Sequence, residues 1–459
     1  MGIEGDLIWG DDDESEVFAQ AQDHDLCLIF RYSHHAQLPQ CLPSRIVNCF
    51  HCRPVKDTTQ TFLDRAEMRT ALYSSIHQVW DRLAKHPSIK APDVIVEIYE
   101  DTKGQYQWRI SHESLYESFV ESLLPLGSTF QSEGAKPQSY DTVDYSTLVQ
   151  ISHPGGRGRT TVVRSSSSFD SIYVFKGIDF GTFLESRDNW EHLKNVCYNE
   201  IRTICSLPKH PNVITPPTIL VTTKNIGDDQ KAYICGALYP FMEHGTLDDQ
   251  IQKSNATAGR LLLFDKARWC LQMASAVAHT HLTAQTFHMD MKPANFLVDG
   301  NKDLLLIDWE QSGAWPHSLA PEADGSWDVR YAETVSSHDV GPDVSAPQLV
   351  YEKYCGPDRE NLAWGQPKWN VFPHWRAIYP RALEAAEVFS LGRVMWMLLE
   401  QVSQCRLEDE HDVVVCWSED AGDIPGDWKE IVSRCLNPDP NKRIKLQELV
   451  DSWEEVRRT

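Results

Sequence analysis

One short run constrains this chain more than any other feature. His288-Met289-Asp290-Met291-Lys292-Pro293-Ala294-Asn295 leads directly into the apolar stretch Phe296-Leu297-Val298. Eighteen residues after Asp290, a second apolar stretch, Leu304-Leu305-Leu306-Ile307, has closed on Asp308-Trp309-Glu310. The order is a carboxylate, an ammonium, an amide, and then a second carboxylate at the end of a buried strand. Transfer of a phosphoryl group to a hydroxyl needs that set. One carboxylate orients the hydroxyl and accepts its proton, and the ammonium neutralises charge on the γ-phosphate. The amide oxygen and the second carboxylate hold a divalent cation.

The chain reads as strand-rich before this run and helix-rich around and after it. Residues 147–151, 161–164 and 172–175 read as strands, with a glycine-bearing turn after the first and a hairpin turn at 165–168. Residues 261–280, 387–402, 427–436 and 446–456 carry helical patterning. A β-rich segment followed by a helical one predicts two lobes with a cleft between them.

The part before residue 145 has a different character. The first 30 residues hold nine acids and no Lys or Arg, so residues 1–20 read as an acidic, solvated, mobile lead-in. Residues 26–32 and 45–52 read as strands. Leu72, Ile76, Val79, Trp80 and Leu83 recur at helical spacing, which predicts an amphipathic helix over 64–85. Residues 93–100 and 105–110 read as a hairpin across Lys103-Gly104. A small α+β unit is therefore expected over 20–125, with no motif that names its role, and a linker over 126–144.

Composition excludes several classes. Lys plus Arg is 43 against 66 Asp plus Glu, a net charge of −23, so no nucleic acid is expected as a partner. No apolar run reaches the roughly 20 residues that cross a bilayer. The N-terminus lacks the cationic start and apolar core of a signal peptide. Twelve cysteines without such a signal read as reduced thiols of the cytoplasm or nucleus. Cys49-x-x-Cys52 with His51 offers half a zinc site, but a second pair is poorly spaced, and a half-buried strand is the preferred reading.

The run at 288–298 and the Asp308 motif resemble the catalytic loop and metal-binding motif of eukaryotic protein kinases. Other parts of that pattern stand upstream in order. Tyr173-Val174-Phe175-Lys176 is similar to the third-strand motif. Glu200, in Cys197-Tyr198-Asn199-Glu200-Ile201, matches its ion-pair partner on the next helix, and His210-Pro211-Asn212-Val213-Ile214 resembles the turn that follows. Gly156-Arg157-Gly158-Arg159-Thr160-Thr161 resembles the glycine-rich cover of the phosphates, with Thr161 where the third glycine belongs. The segment from Leu238 through Tyr239, Pro240 and Met242 to Leu247 resembles the adenine-binding hinge. Tyr239 stands as gatekeeper, Pro240 offers its carbonyl and Met242 its N–H.

Downstream, Glu387-Val388-Phe389-Ser390-Leu391-Gly392 resembles the start of the central helix of the large lobe, with Glu387 replacing the usual Asp. Asp439-Pro440-Asn441-Lys442-Arg443 resembles the late motif whose Arg closes an internal ion pair. Its Ala-Pro-Glu partner is not recognised, and Asn370-Val371-Phe372-Pro373 reads as the nearest relic. That places the activation segment at about 308–373.

The resemblance covers about residues 145–459. It implies an α+β, bilobal protein-kinase-like fold with its hinge near 239–247, behind the small N-terminal unit. It implies transfer of the γ-phosphate of Mg-ATP to Ser or Thr hydroxyls of proteins, because a Lys two residues after Asp290 resembles the Ser/Thr-directed group. Asp290 and Lys292 would then be catalytic. Lys176, Glu200, Gly156, Gly158, Val163, Val174, Pro240, Met242 and Leu297 would bind ATP, and Asn295 and Asp308 would hold Mg²⁺. Three departures stand out. Met289 replaces the Arg that binds a phosphorylated activation loop, Trp309 replaces Phe, and Glu310 replaces a glycine and is read as facing solvent. Two rivals are a pseudokinase that acts as a scaffold through the N-terminal unit and a kinase for a small hydroxylated molecule.

Overall fold

The computed structural model describes the protein outside residues 1–7, 11–15, 24–25, 52–58, 91–93, 113–114, 129–139, 153–159, 166–170, 225–230, 258, 333–347, 358–369, 408–413 and 459. The N-terminal part forms one five-stranded sheet. Its strands β1 (Ile8–Gly10), β2 (Glu16–Asp23), β3 (Leu26–Ser33), β4 (Val94–Glu100) and β5 (Tyr106–His112) lie side by side in chain order. Only β3 and β4 pair in parallel. A parallel pair needs a crossover, and the helices α1 (Leu42–His51) and α2 (Thr59–Leu83) supply it.

Two expectations fail here. Residues 45–52 were expected as a strand, yet they lie largely in α1, where Leu42, Ile46 and Val47 are all buried. A strand would have sent the adjacent Ile46 and Val47 to opposite faces, whereas a helix buries both on one side. The lead-in is not wholly mobile either, because β1 and β2 belong to the sheet, with Val17 and Ala19 alternating into its core. Residues 11–15 of the acidic run and Cys52 of the cysteine pair lie outside the described residues, and Cys49 sits on α1. The long helix behaves as its spacing demands: Met68, Leu72, Ile76, Val79 and Leu83 form one buried stripe on α2.

The chain then enters a second sheet. A short helix α3 (Leu115–Ser122) leads into β6 (Leu124–Pro125). Strands β7 (Asp141–Asp144), β8 (Leu148–Ser152), β9 (Thr160–Ser165) and β10 (Ile172–Gly177) follow. Helices α4 (Phe180–Glu185) and α5 (Trp190–Ser206) come next, then β11 (Ile219–Lys224) and β12 (Ala232–Pro240). The sheet order is β7-β11-β12-β10-β9-β8, with β6 on the end of β12. The turn expected at 165–168 falls mostly outside the described residues, but the strands flanking it pair antiparallel as a hairpin would. Close approach of two backbones sets the place of Lys176: a Cβ on the next residue, Gly177, would lie 2.4 Å from the Cys235 carbonyl on β12.

The large lobe is helical: α6 (Leu247–Ala256) and α7 (Leu263–Leu282), then the hairpin β13 (Phe296–Val298) with β14 (Leu304–Leu306). A second hairpin, β15 (Trp327–Tyr331) with β16 (Leu349–Lys353), precedes α8 (Phe372–Ile378) and α9 (Pro380–Glu400). The chain ends with α10 (Gln404–Leu407), α11 (Gly426–Cys435) and α12 (Leu446–Arg458). Helix α9 starts at Pro380 rather than at Glu387, and it is apolar and buried almost all round, as a central helix must be. The result is the two-lobed α+β architecture expected. Among the described residues, no helix is long and apolar enough to cross a membrane.

Candidate active site

The cleft between the lobes gathers the polar residues singled out in the sequence. Lys176 on β10 donates from Nζ to Glu200 Oε1 on α5 at 2.8 Å, and also to Asp308 Oδ1. A third carboxylate, Glu310, stands 3.4 Å from the same nitrogen. Glu310 therefore does not face solvent, contrary to expectation, and its side chain is only 16% exposed. The backbone explains the turn. Asp308 and Gln311 take left-handed conformations, at φ +70° and +54°, whereas Glu310 is not among the positive-φ residues, so its Cβ costs no strain. Asn199 on α5 donates from Nδ2 to the Glu310 carbonyl at 3.2 Å and fixes that turn. Trp309 is fully buried, edge-on to His288 at 4.8 Å between ring centres.

One ammonium thus faces three acids. Burial pushes Lys176 down, but Asp308, Glu200 and Glu310 outweigh it and raise its pKa. Burial also opposes ionisation of Asp308, yet the adjacent Lys176 holds its carboxyl below the usual range. Glu200 goes the other way, pushed up by burial and by the two neighbouring carboxylates.

The polar residues of the 288–298 run form a second cluster beside the first. Asp290 Oδ2 accepts from Lys292 Nζ at 2.5 Å and from Asn295 Nδ2 at 3.2 Å. Its Oδ1 accepts from the Trp315 N–H at 2.7 Å. Asn295 Nδ2 also donates to the Asp290 carbonyl at 2.7 Å, which commits its nitrogen and leaves its Oδ1 as the donor atom for a cation. The Ile307 N–H donates to the Asn295 carbonyl at 3.0 Å, so Asp308 is registered against the loop. An amide oxygen and an ionised carboxylate are hard oxygen donors of the kind Mg²⁺ takes, so the residues fit that ion.

Glu387 anchors the loop from below. Its Oε1 accepts from the His288 and Met289 N–H groups at 2.8 and 2.6 Å, and its Oε2 meets His281 Nε2 at 2.5 Å. The extra methylene relative to Asp has kept the backbone anchor and reached a histidine as well.

At the hinge, β12 ends on Pro240, which is exposed, and Met242 is half-buried. Leu297 is tied under this segment by a bridge to Thr246 and by the bond from the Val298 N–H to the Gly245 carbonyl at 2.9 Å. Val163 is buried, and Val174 and Leu297 are half-buried. The Tyr239 hydroxyl is buried with no hydrogen-bond partner among the described residues. Gly156 and Gly158 lie outside the described residues.

The pairing of Arg443 corrects a further expectation. Its partner is Glu322, in the run Ala320-Pro321-Glu322, and not any residue of 370–373. The sequence signal is the Ala-Pro-Glu triplet itself, which begins only about a dozen residues after Asp308. Val371 and Phe372 instead pack in a buried cluster with Phe287, Met289 and Trp375. Nothing in the sequence announced Trp315, which acts through its backbone.

A family model described as protein kinase domain matches residues 153–348. CBL-interacting protein kinase 8 of Oryza sativa subsp. japonica is 26% identical over 262 residues, covering 55% of this chain and 46% of that protein. Serine/threonine-protein kinase CHK1 of Saccharomyces cerevisiae is 23% identical over 258 residues, covering 54% of this chain and 40% of its own. Probable serine/threonine-protein kinase MARK-A of Dictyostelium discoideum is 24% identical over 269 residues, covering 57% and 20%. The matched part spans less than half of each of these relatives.

Proposed function

Because this chain belongs to the eukaryotic protein kinase superfamily, we propose that it transfers the γ-phosphate of Mg-ATP to Ser or Thr hydroxyls of proteins. The observation that carries this reading is the grip on Lys176 by Glu200, at 2.8 Å, and by Asp308 on the opposite lobe. A lysine so held is aimed at the α- and β-phosphates of a nucleotide in the cleft.

Asp290 orients the acceptor hydroxyl and takes its proton. Its carboxylate is held in place by the Trp315 N–H, Lys292 and Asn295. Lys292 lies against Asp290 and stabilises charge on the migrating phosphoryl group. Asn295 and Asp308 would hold Mg²⁺, which when bound neutralises phosphate charge. Pro240 and Met242 supply the carbonyl and the N–H to adenine, with Val163, Val174 and Leu297 against its faces. Glu322 would close the activation segment, which then runs over residues 308–322.

Binding and chemistry are tested separately by following the rise in melting temperature with Mg-ATP. Asp290→Asn is expected to keep the rise and Lys176→Met to reduce it. Loss of the rise in a folded Asp290→Asn protein would contradict the assignment of roles.

A further inference from the structure

We propose that residues 115–125, which join the N-terminal sheet to the small lobe, are a positioning element that holds α5 in register, acting on Glu200 through Tyr198. The inference rests on the reading of Lys176 and Glu200 as the phosphate-gripping pair, and it assigns a role to a segment outside that pair.

Helix α5 has two working sides. One presents Glu200 to Lys176 and Asn199 to the Glu310 carbonyl. On the other, Trp190, Lys194 and Tyr198 recur four residues apart, so they form one stripe along the helix. Every member of that stripe is bound by the short stretch from Ser122 to Leu124. Trp190 Nε1 donates to Ser122 Oγ at 2.8 Å, and Lys194 Nζ donates to the Ser122 carbonyl at 3.0 Å. The Leu124 N–H donates to the Tyr198 hydroxyl at 3.0 Å. Tyr198 in turn donates that hydroxyl to the Ile234 carbonyl on β12 at 2.7 Å.

Tyr198 is therefore a buried rivet between three elements, two residues from Glu200. The clamp is itself fixed. Leu124 and Pro125 pair with Ile234 and Tyr233 on β12, and the Leu126 N–H donates to the Ala232 carbonyl at 2.9 Å. Phe119 on α3 packs against Phe180, Phe183 and Trp190, with ring centres 5.7, 5.8 and 5.7 Å away. Ile29 and Ile95 of the N-terminal sheet belong to the same buried cluster as Phe119 and Val120. A displacement of the N-terminal unit would reach α5 through this contact. Removing the hydroxyl of Tyr198 takes one hydrogen bond from the Leu124 N–H and one from the Ile234 carbonyl, and the helix loses its tie to β12.

The test uses the full chain with Tyr198→Phe and, separately, Lys194→Met. Backbone hydrogen exchange over α5 and over the distant α9 is followed together with kcat and the KM for ATP. The expected result for Tyr198→Phe is exchange about tenfold faster across residues 194–204 with α9 unchanged, and kcat about tenfold lower with the KM for ATP within about twofold. Lys194→Met moves both readouts the same way, but less. Unchanged exchange over α5 in both variants overturns the proposal. Exchange that rises equally over α5 and α9, with kcat per folded molecule intact, also overturns it, because the contact is then packing alone. If the unaltered protein transfers no phosphate, the exchange result still decides the clamp, and the failure belongs to the catalytic reading.

Discussion

Arg443 clasps Glu322 with both arms of its guanidinium, Nη1 to Oε1 and Nη2 to Oε2, the latter at 2.9 Å, and the two side chains are 1% and 6% exposed. Two further donors are used as well: Nη1 reaches the Ala385 carbonyl at 3.0 Å and Nε the Asn437 carbonyl at 2.9 Å. The pair ties the end of the activation segment to the start of α9 and the loop before α12. Truncating one partner leaves a buried charge without its counter-ion. Glu322→Gln is expected to lower stability by about 3 kcal/mol or more in urea unfolding. Replacing both residues with apolar ones should cost less than the single change. A single-variant loss under about 0.5 kcal/mol would contradict this.

In the proposed reaction, Glu310 would compete with the nucleotide phosphates for Lys176. Glu310→Gly removes the carboxylate 3.4 Å from the ammonium and leaves Glu200 and Asp308 in place. The KM for ATP is expected to fall severalfold with kcat little changed, since the lost contact opposes nucleotide binding. A KM that rises would mean that Glu310 assists binding.

The segment between Asp308 and Ala320 contains Ser312 and Ser318 as its only hydroxyl-bearing residues. Ser318 is buried, and so is Met289, which stands where an arginine would meet a phosphorylated loop. Phosphatase treatment is therefore expected to leave phosphate-transfer activity within about twofold. A large loss would show a phosphate-dependent switch elsewhere on the chain.

Local motifs were readable because local spacing encodes them. Asp290, Lys292, Asn295 and Asp308 sit on one loop and one strand end, and Lys176 and Glu200 lie on neighbouring elements. The Glu387 anchor was legible for the same reason, although its contact with His281 was not. What the residues hid was long-range. Arg443 meets Glu322 across more than a hundred residues, and Ser122 meets Trp190 and Lys194 across most of the small lobe. The direction of Glu310 is not legible in the sequence, because the backbone turn at Asp308 and Gln311 re-aims it and follows from φ rather than from polarity. The helix over Leu42–His51 is hidden in the sequence because a few apolar residues fit either period until the partner surface is known.

Lys266 on α7 is fully buried, with Nζ donating to the Leu399 carbonyl at 2.9 Å. Burial, followed by the nearby Arg260, lowers its pKa from 10.5 to about 8. The folded state therefore gives up this proton before the unfolded one does. The charged form costs stability below about pH 8, and the cost is relieved as pH rises from 8 towards 10.5. Arg260 Nη2 also bonds the Leu399 carbonyl, at 3.0 Å, so that acceptor stays paired without Lys266. Lys266→Met is expected to be more stable than the unaltered protein at pH 7 by about 1–2 kcal/mol, with the advantage shrinking towards pH 10. An advantage that grows with pH would contradict the assignment.

The residues around Lys176 and Asp290 are proposed to move a phosphoryl group. The direct measurement is labelled γ-phosphate transfer from Mg-ATP to generic Ser/Thr substrates and to the protein itself, with Asp290→Asn and Lys176→Met run alongside. Transfer by the unaltered protein is expected, with a loss of roughly a hundredfold or more in both variants. No transfer by the unaltered protein with either Mg²⁺ or Mn²⁺, or equal transfer by all three proteins, would contradict it.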